Sequence, residues 1–112
     1  MLNKKIPTNL EECFQKLEMD LPLSDLKAIS QMSKQQLYRL HHGLGRWIRN
    51  NWKLWEGGPL KDYFNGIGLH HPDDMSGVII ESFWHHLRDE PLEIERQVKE
   101  YQDFWKNRRI NE

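Results

Sequence analysis

A chain of 112 residues with 16 lysines and arginines against 17 aspartates and glutamates has room for one hydrophobic core, and its formal net charge of −1 excludes a general attraction to nucleic acid or an anionic membrane. Apolar residues make up only 38% and charged residues 29%, so the core has to be built from a few bulky side chains, five of them tryptophan. No apolar run approaches the roughly 18–20 residues that span a bilayer, the opening Met1–Ile6 stretch is short and charged, and a cytoplasmic location is expected.

Prolines at positions 7, 22, 59, 72 and 91 divide the chain into packets, as expected of a residue tolerated in the first helical turn and not later. In the first packet Thr8 and Glu11 have capping-box spacing, and Leu10, Cys13, Phe14 and Leu17 recur at three- and four-residue steps, which predicts a helix of about three turns. Cys13 has no partner for an internal disulfide, and its place on that apolar stripe predicts a buried thiol rather than a nucleophile. Ser24 is positioned to cap a short second helix carrying Leu26 and Ile29.

Ser33 and Gln36 repeat the capping-box pattern ahead of the longest periodic run. Leu37, Leu40, His41, Leu44, Ile48, Trp52 and Trp55 fall along one side, with Arg39, Arg46, Arg49 and Lys53 largely elsewhere, and the run is expected to be the single central helix. Gly43 and Gly45 weaken it by roughly 1 kcal/mol each relative to alanine, which predicts that another element approaches the bare backbone. Gly57-Gly58 end the run, and Pro59 restarts a short turn bearing Leu60, Tyr63, Phe64 and Ile67.

The segment His70-His71-Pro72-Asp73-Asp74-Met75-Ser76-Gly77 reads as the entry to a helix carrying Val78, Ile79, Phe83 and Leu87. Acids in a first turn meet unpaired backbone N–H groups and the positive end of the helix dipole, which accounts for Asp73 and Asp74 without a ligand. After Pro91, Ile94, Val98, Tyr101 and Trp105 predict a last docked helix. No segment alternates long enough for a strand. The fold class is all-α: one compact domain over residues 1–112, a bundle of about five to six helices, with 1–6 and 107–112 as frayed ends.

All six histidines come as adjacent pairs, His41-His42, His70-His71 and His85-His86. Helical neighbours point about 100° apart, so a metal site would have to take one histidine from each pair, with Asp73 or Asp74. The plainer expectation is that His41 and His86 pack in the core while His70 and His71 shape the loop. No nucleophile lies in a GxSxG-like setting, and the glycines of HHGLG and NGIG match neither a Walker loop nor GxGxxG, so neither an enzyme nor a cofactor is expected. Bases and aromatics interleave from Arg46 to Trp55, but a tryptophan stripe with arginines lying over it is a core pattern, and nucleic-acid binding is not expected.

Together, HHGLGRWIRNNWKLWEGGPLKDYF and GLHHPDDMSGVIIESFWHHL resemble a family of small bacterial domains of unknown function; the resemblance runs from IPTNLEECF through Trp84 and fades over the last helix. It implies no catalytic site. Small helical proteins of this kind resemble immunity proteins, which protect a toxin-producing cell by binding the toxin domain, and this implies a cognate toxin domain as partner and a surface of about 800 Å² per partner in place of chemistry. The partner-binding residues expected on that reading are His70, His71, Asp73 and Asp74, then Arg46, Arg49, Trp52 and Trp55. An acidic surface of Glu81, Asp89, Glu90, Glu93 and Glu95 would face a basic cleft. The alternatives are the metal-binding module or metal-dependent enzyme just described, and a scaffolding module whose tryptophan helix docks a partner helix.

Overall fold

Residues 5–110 are described by the structure, a computed structural model. Six α-helices form the domain, and there is no strand among the described residues. Helix α1 (Leu10–Asp20) begins one residue later than the Thr8–Glu11 box would place it: Asn9 is the N-cap, its side chain accepting the Glu12 N–H at 2.9 Å. The Glu12 carboxylate accepts from both the Thr8 N–H and the Thr8 hydroxyl, each at 2.8 Å, and these bonds hold its pKa below the usual glutamate value. Leu10, Cys13, Phe14 and Leu17 are buried together, and burial pushes the Cys13 thiol well above the ordinary range. Helix α2 (Leu23–Ser30) opens from Pro22 without a side-chain cap, and Ser24 sits inside it rather than capping it. Its Ile29 enters the core.

Ser33 and Gln36 do form the reciprocal pair: the Ser33 N–H donates to Gln36 Oε1 at 2.8 Å and the Gln36 N–H to Ser33 Oγ at 3.3 Å. The run that follows is not the expected single helix. It changes pitch twice, from a 3₁₀ segment (Gln35–Leu40) through a π turn (His41–Gly45) to the short α3 (Arg46–Asn51). A π turn holds more residues per turn than an α-helix, so it rotates everything after it. Leu37, Ile48 and Trp52 still point inward, but Arg49 is turned in with them and Trp55 is 52% exposed. The chain leaves the helix at Trp52 and passes through Lys53 at φ 58°, before Trp55 could join the stripe. Of the two glycines, only Gly45 meets a neighbouring element, since a Cβ there would lie 3.5 Å from Ile80 Cδ1, while one at Gly43 would meet nothing within 4 Å.

Gly57 and Gly58, at φ 118° and 131°, reverse the chain in a conformation that other residues rarely adopt, and Pro59 starts α4 (Pro59–Gly66), which buries Leu60 and Phe64. Helix α5 (Pro72–Leu87) is the true axis of the domain. It packs against α1, α2, α3, α4 and α6 and contributes Met75, Val78, Ile79 and Phe83 to the interior. Helix α6 (Ile94–Ile110) lies along it through Val98. Of the ends expected to fray, residues 1–4 and 111–112 lie outside the described residues; Ile6 packs on the core and α6 runs through Asn107 to Ile110. No helix among the described residues is long and apolar enough to cross a membrane.

Candidate partner-binding site

The HHPDDMSG segment is a junction at the N-terminus of α5 where three parts of the chain meet. His71 is the N-cap, its Nδ1 accepting the Asp73 N–H at 3.0 Å, and Pro72 occupies the first turn, where its missing N–H costs nothing. Arg49 reaches into this turn from α3. Its Nη1 donates to Ser76 Oγ at 2.8 Å, its Nη2 to the His41 carbonyl at 3.2 Å, and its Nε lies 3.4 Å from Asp73 Oδ1. One guanidinium thus fastens the π turn to the first turn of α5, and Ser76 Oγ donates onward to the Asp73 carbonyl at 3.0 Å. Burial, and then the Arg49 charge, hold the His41 imidazole below its usual pKa.

From the other side the junction is closed by α6. Trp105 Nε1 donates to Asp74 Oδ2 at 2.8 Å, and its ring stacks on His71 with centroids 5.6 Å apart. Trp55 meets the same imidazole edge-on at 5.7 Å, and Phe104 meets Trp105 at 5.4 Å, so Trp55, His71, Trp105 and Phe104 form a continuous row of rings. A Cβ on Gly77 would come within 2.2 Å of Tyr101 Oη; glycine is therefore what lets α6 lie this close to α5.

Asp74 is 8% exposed and has a neutral indole N–H as its hydrogen-bond donor. Burial raises its pKa above the usual 3.8, against the lowering effects of the Trp105 hydrogen bond and the nearby His71. Between the unfolded and folded values the folded state holds more protons, so stability falls as pH rises through that window and stays lowered above it. Asp74→Asn keeps an acceptor for Trp105 and removes the charge. Urea unfolding should find the variant more stable than the parent at neutral pH and no more stable below pH 3.8; an equal offset at both would mean that the carboxylate is not the cause.

Two open cavities flank this wall. A groove of ≈ 500 Å³ lies between the 3₁₀ segment, α5 and α6, with Tyr38, Tyr101 and Phe104 among its walls and Asp73, Asp74, Glu81 and Glu100 as its acids. A second, of ≈ 710 Å³, opens beside His70, His71, Trp105 and Lys106. Asp74 and Tyr101 line both.

Residues expected to meet a partner divide accordingly. His71, Asp73, Asp74 and Trp55 come together at the junction, His70 is exposed beside it, and Arg46 is exposed at the start of α3. Arg49 and Trp52, 6% and 4% exposed, are interior residues and offer a partner almost no surface. Glu81 and Glu90 gather instead around His85 near the C-terminal end of α5, with Glu81 Oε2 3.1 Å from its Nε2 and Glu90 Oε1 3.0 Å from its Nδ1. Asp89 is exposed at φ 53°, in the turn that follows. His85 is therefore the buried member of its pair. His86, expected in the core, is exposed at its edge, stacked on Phe14 at 4.7 Å. The three histidine pairs do not converge, and no group of three or more His, Cys, Asp or Glu among the described residues is placed to hold a metal ion.

Sequence reasoning passed over Tyr38, Gln97 and Phe104 and read Trp105 only as a packing residue. Tyr38 and Phe104 are 79% and 52% exposed, against the habit of large apolar side chains, and that mismatch between residue type and position is visible only once the helices are placed.

The family described as domain of unknown function (DUF6794) matches residues 6–87, from the residue before Pro7 to the end of α5, and leaves α6 outside the match. No curated protein and no solved structure matches the chain.

Proposed function

The chain belongs to the DUF6794 family of domains of unknown function, and from that footing we propose that it is a binding protein of the immunity type, which neutralises a cognate bacterial toxin domain by covering its active site or substrate-binding surface. The observation that carries this reading is the row of rings from Trp55 to Phe104, with Tyr38 across the groove, rimmed by Asp73, Glu100 and Glu81. Aromatic side chains left on a surface beside carboxylates are costly for a protein that acts alone. They suit a partner that buries the rings and matches the acids with bases. A toxin domain that handles nucleic acid or a nucleotide has a basic cleft of that kind.

A standard interface buries about 800 Å² on each side, and rim charges of opposite sign give fast association that weakens with salt. Beneath it the Arg49–Ser76 and Trp105–Asp74 hydrogen bonds join α3, α5 and α6, and Gly77 lets α6 pack closely on α5. An inhibitor of this design needs no chemistry of its own.

Co-expression is the test. Cells producing the toxin domain encoded beside this chain should survive when the chain is present. Protection should fall with Trp55→Ala combined with Phe104→Ala, two exposed positions whose loss leaves the core intact. Death of the co-expressing cells despite abundant folded chain would remove the proposal.

A further inference from the structure

We propose that the outer side of the run from the 3₁₀ segment through the π turn to α3 is a second docking surface, and that it receives an acidic segment of a partner protein. It is built from residues other than the row of rings and does not rest on the immunity reading.

Charge is divided unevenly along this chain. Six of its sixteen lysines and arginines, and none of its seventeen aspartates and glutamates, fall between Leu26 and Trp55. Of those six, Arg49 is buried against Ser76 and Asp73, and Lys53 lies 3.5 Å from Glu56. The side chains of Lys27, Lys34, Arg39 and Arg46 are exposed and have no ion-pair or hydrogen-bond partner among the described residues. Elsewhere bases meet acids within the domain, as in Lys16–Asp20, Arg88–Glu90 and Lys99–Asp103. In this run no acid is present to answer them, and a carboxylate from outside supplies what is missing.

The second observation is a glycine with no neighbour. Three- and four-residue steps set Arg39, His42, Gly43, Arg46, Trp47 and Asn50 on the outside of the run, all exposed, while Leu37, Gly45, Ile48 and Arg49 are buried on the other side. A Cβ at Gly43 would meet nothing within 4 Å, and Gly43 is not among the positive-φ glycines. Neither packing inside the domain nor backbone geometry therefore asks for glycine here, although glycine weakens a helical run relative to alanine. What the missing side chain provides is bare backbone in the middle of the exposed side, where another chain can come close.

Trp47 stands beside it, 40% exposed and held edge-on against the buried Trp52 with centroids 5.7 Å apart. A ring already held in place loses little freedom when a partner covers it. Tryptophan and arginine are also the residue types that most often carry binding energy between proteins. Two unpartnered arginines on either side of a bare glycine match a few carboxylates. A nucleic-acid strand draws its affinity from many phosphates at once, and it would have to approach a chain whose acids outnumber its bases. The face suits an acidic protein segment better.

An NMR titration of the full chain tests this, with an acetylated peptide of repeated Glu-Leu-Glu-Ala units, the same peptide with lysine in place of glutamate, and an oligothymidylate of matched charge. The acidic peptide is expected to move the amide signals of His42, Gly43 and Arg46 and the indole signal of Trp47, and at low salt to bind about tenfold more tightly than the lysine peptide. Arg39→Glu combined with Arg46→Glu should weaken it by about tenfold, and both side chains are exposed, so the core is untouched. Gly43→Ala should raise the urea midpoint, as alanine does in an open helical position, and yet weaken the peptide by roughly 2–5-fold.

Equal binding of the two peptides, or shifts that leave these residues out, overturns the proposal. A Gly43→Ala chain that is more stable and binds as tightly as the parent overturns the role of the bare backbone. Tighter binding of the oligothymidylate would assign the face to nucleic acid, and movement of the same signals with protein concentration alone would assign it to a second copy. Either result overturns an acidic partner.

Discussion

Replacing Arg49 by alanine should lower the stability of the domain by about 2–3 kcal/mol, read as a fall in the urea midpoint at unchanged m-value. The side chain is buried, and it is the donor for Ser76 Oγ and the His41 carbonyl as well as the charge opposite Asp73. Charge-assisted hydrogen bonds are worth about 1.5–3 kcal/mol each, and removing one partner of a fully buried pair costs about 3–5 kcal/mol. The lower figure applies because the Asp73 side chain is 45% exposed and recovers water. Arg49→Lys should rescue little of the loss, since a single ammonium cannot reach Ser76 and the His41 carbonyl from one position as the planar fork does. A loss below about 0.5 kcal/mol, the range of an ordinary surface substitution, would show that the clamp is not a structural element.

Gly77→Ala should destabilise by about 1–2 kcal/mol, although alanine in place of glycine inside a helix normally gains about 1 kcal/mol. The new Cβ would sit 2.2 Å from Tyr101 Oη and 3.2 Å from Tyr101 Cζ, so either the ring or the whole of α6 must move. Tyr101 packs against the core, so moving its ring gives up contacts there. Tyr101→Phe removes the atom that clashes first. In that background Gly77→Ala should be close to neutral, and the double-mutant cycle should return a coupling of about 1–2 kcal/mol. Alanine that stabilises the parent chain, with no coupling, would mean that α6 does not lie this close to α5.

These two contacts also show how far the residue order could be read. The apolar steps of α1, α5 and α6, the starts at Pro59 and Pro72 and the Ser33–Gln36 pair follow from short-range rules and are where those rules place them. The run from Leu37 to Trp55 misled because its periodicity assumes one pitch, and nothing in HHGLG distinguishes a π turn from an α-helix weakened by two glycines. That extra rotation takes Arg49 inside, and the chain leaves the helix at Trp52 before Trp55 could follow. Asp73 and Asp74 look alike as first-turn acids; one faces Arg49 and the other is enclosed by Trp105, a residue 31 positions away. The groove combines Tyr38, Gln97 and Phe104 from parts of the chain that no local pattern links. The distant contact read from a local sign was Gly45, a helical glycine expected to meet another element and met by Ile80; Gly77, under Tyr101, carries the same sign.

Stoichiometric inhibition of the purified toxin domain is the most direct measure of whether this face acts by occlusion. One equivalent of the chain should abolish toxin activity, with a dissociation constant that rises with salt and rises further when Asp73 and Glu100 are both changed to lysine. A toxin that keeps its activity in the saturated complex, or an affinity indifferent to both salt and charge reversal, would contradict it.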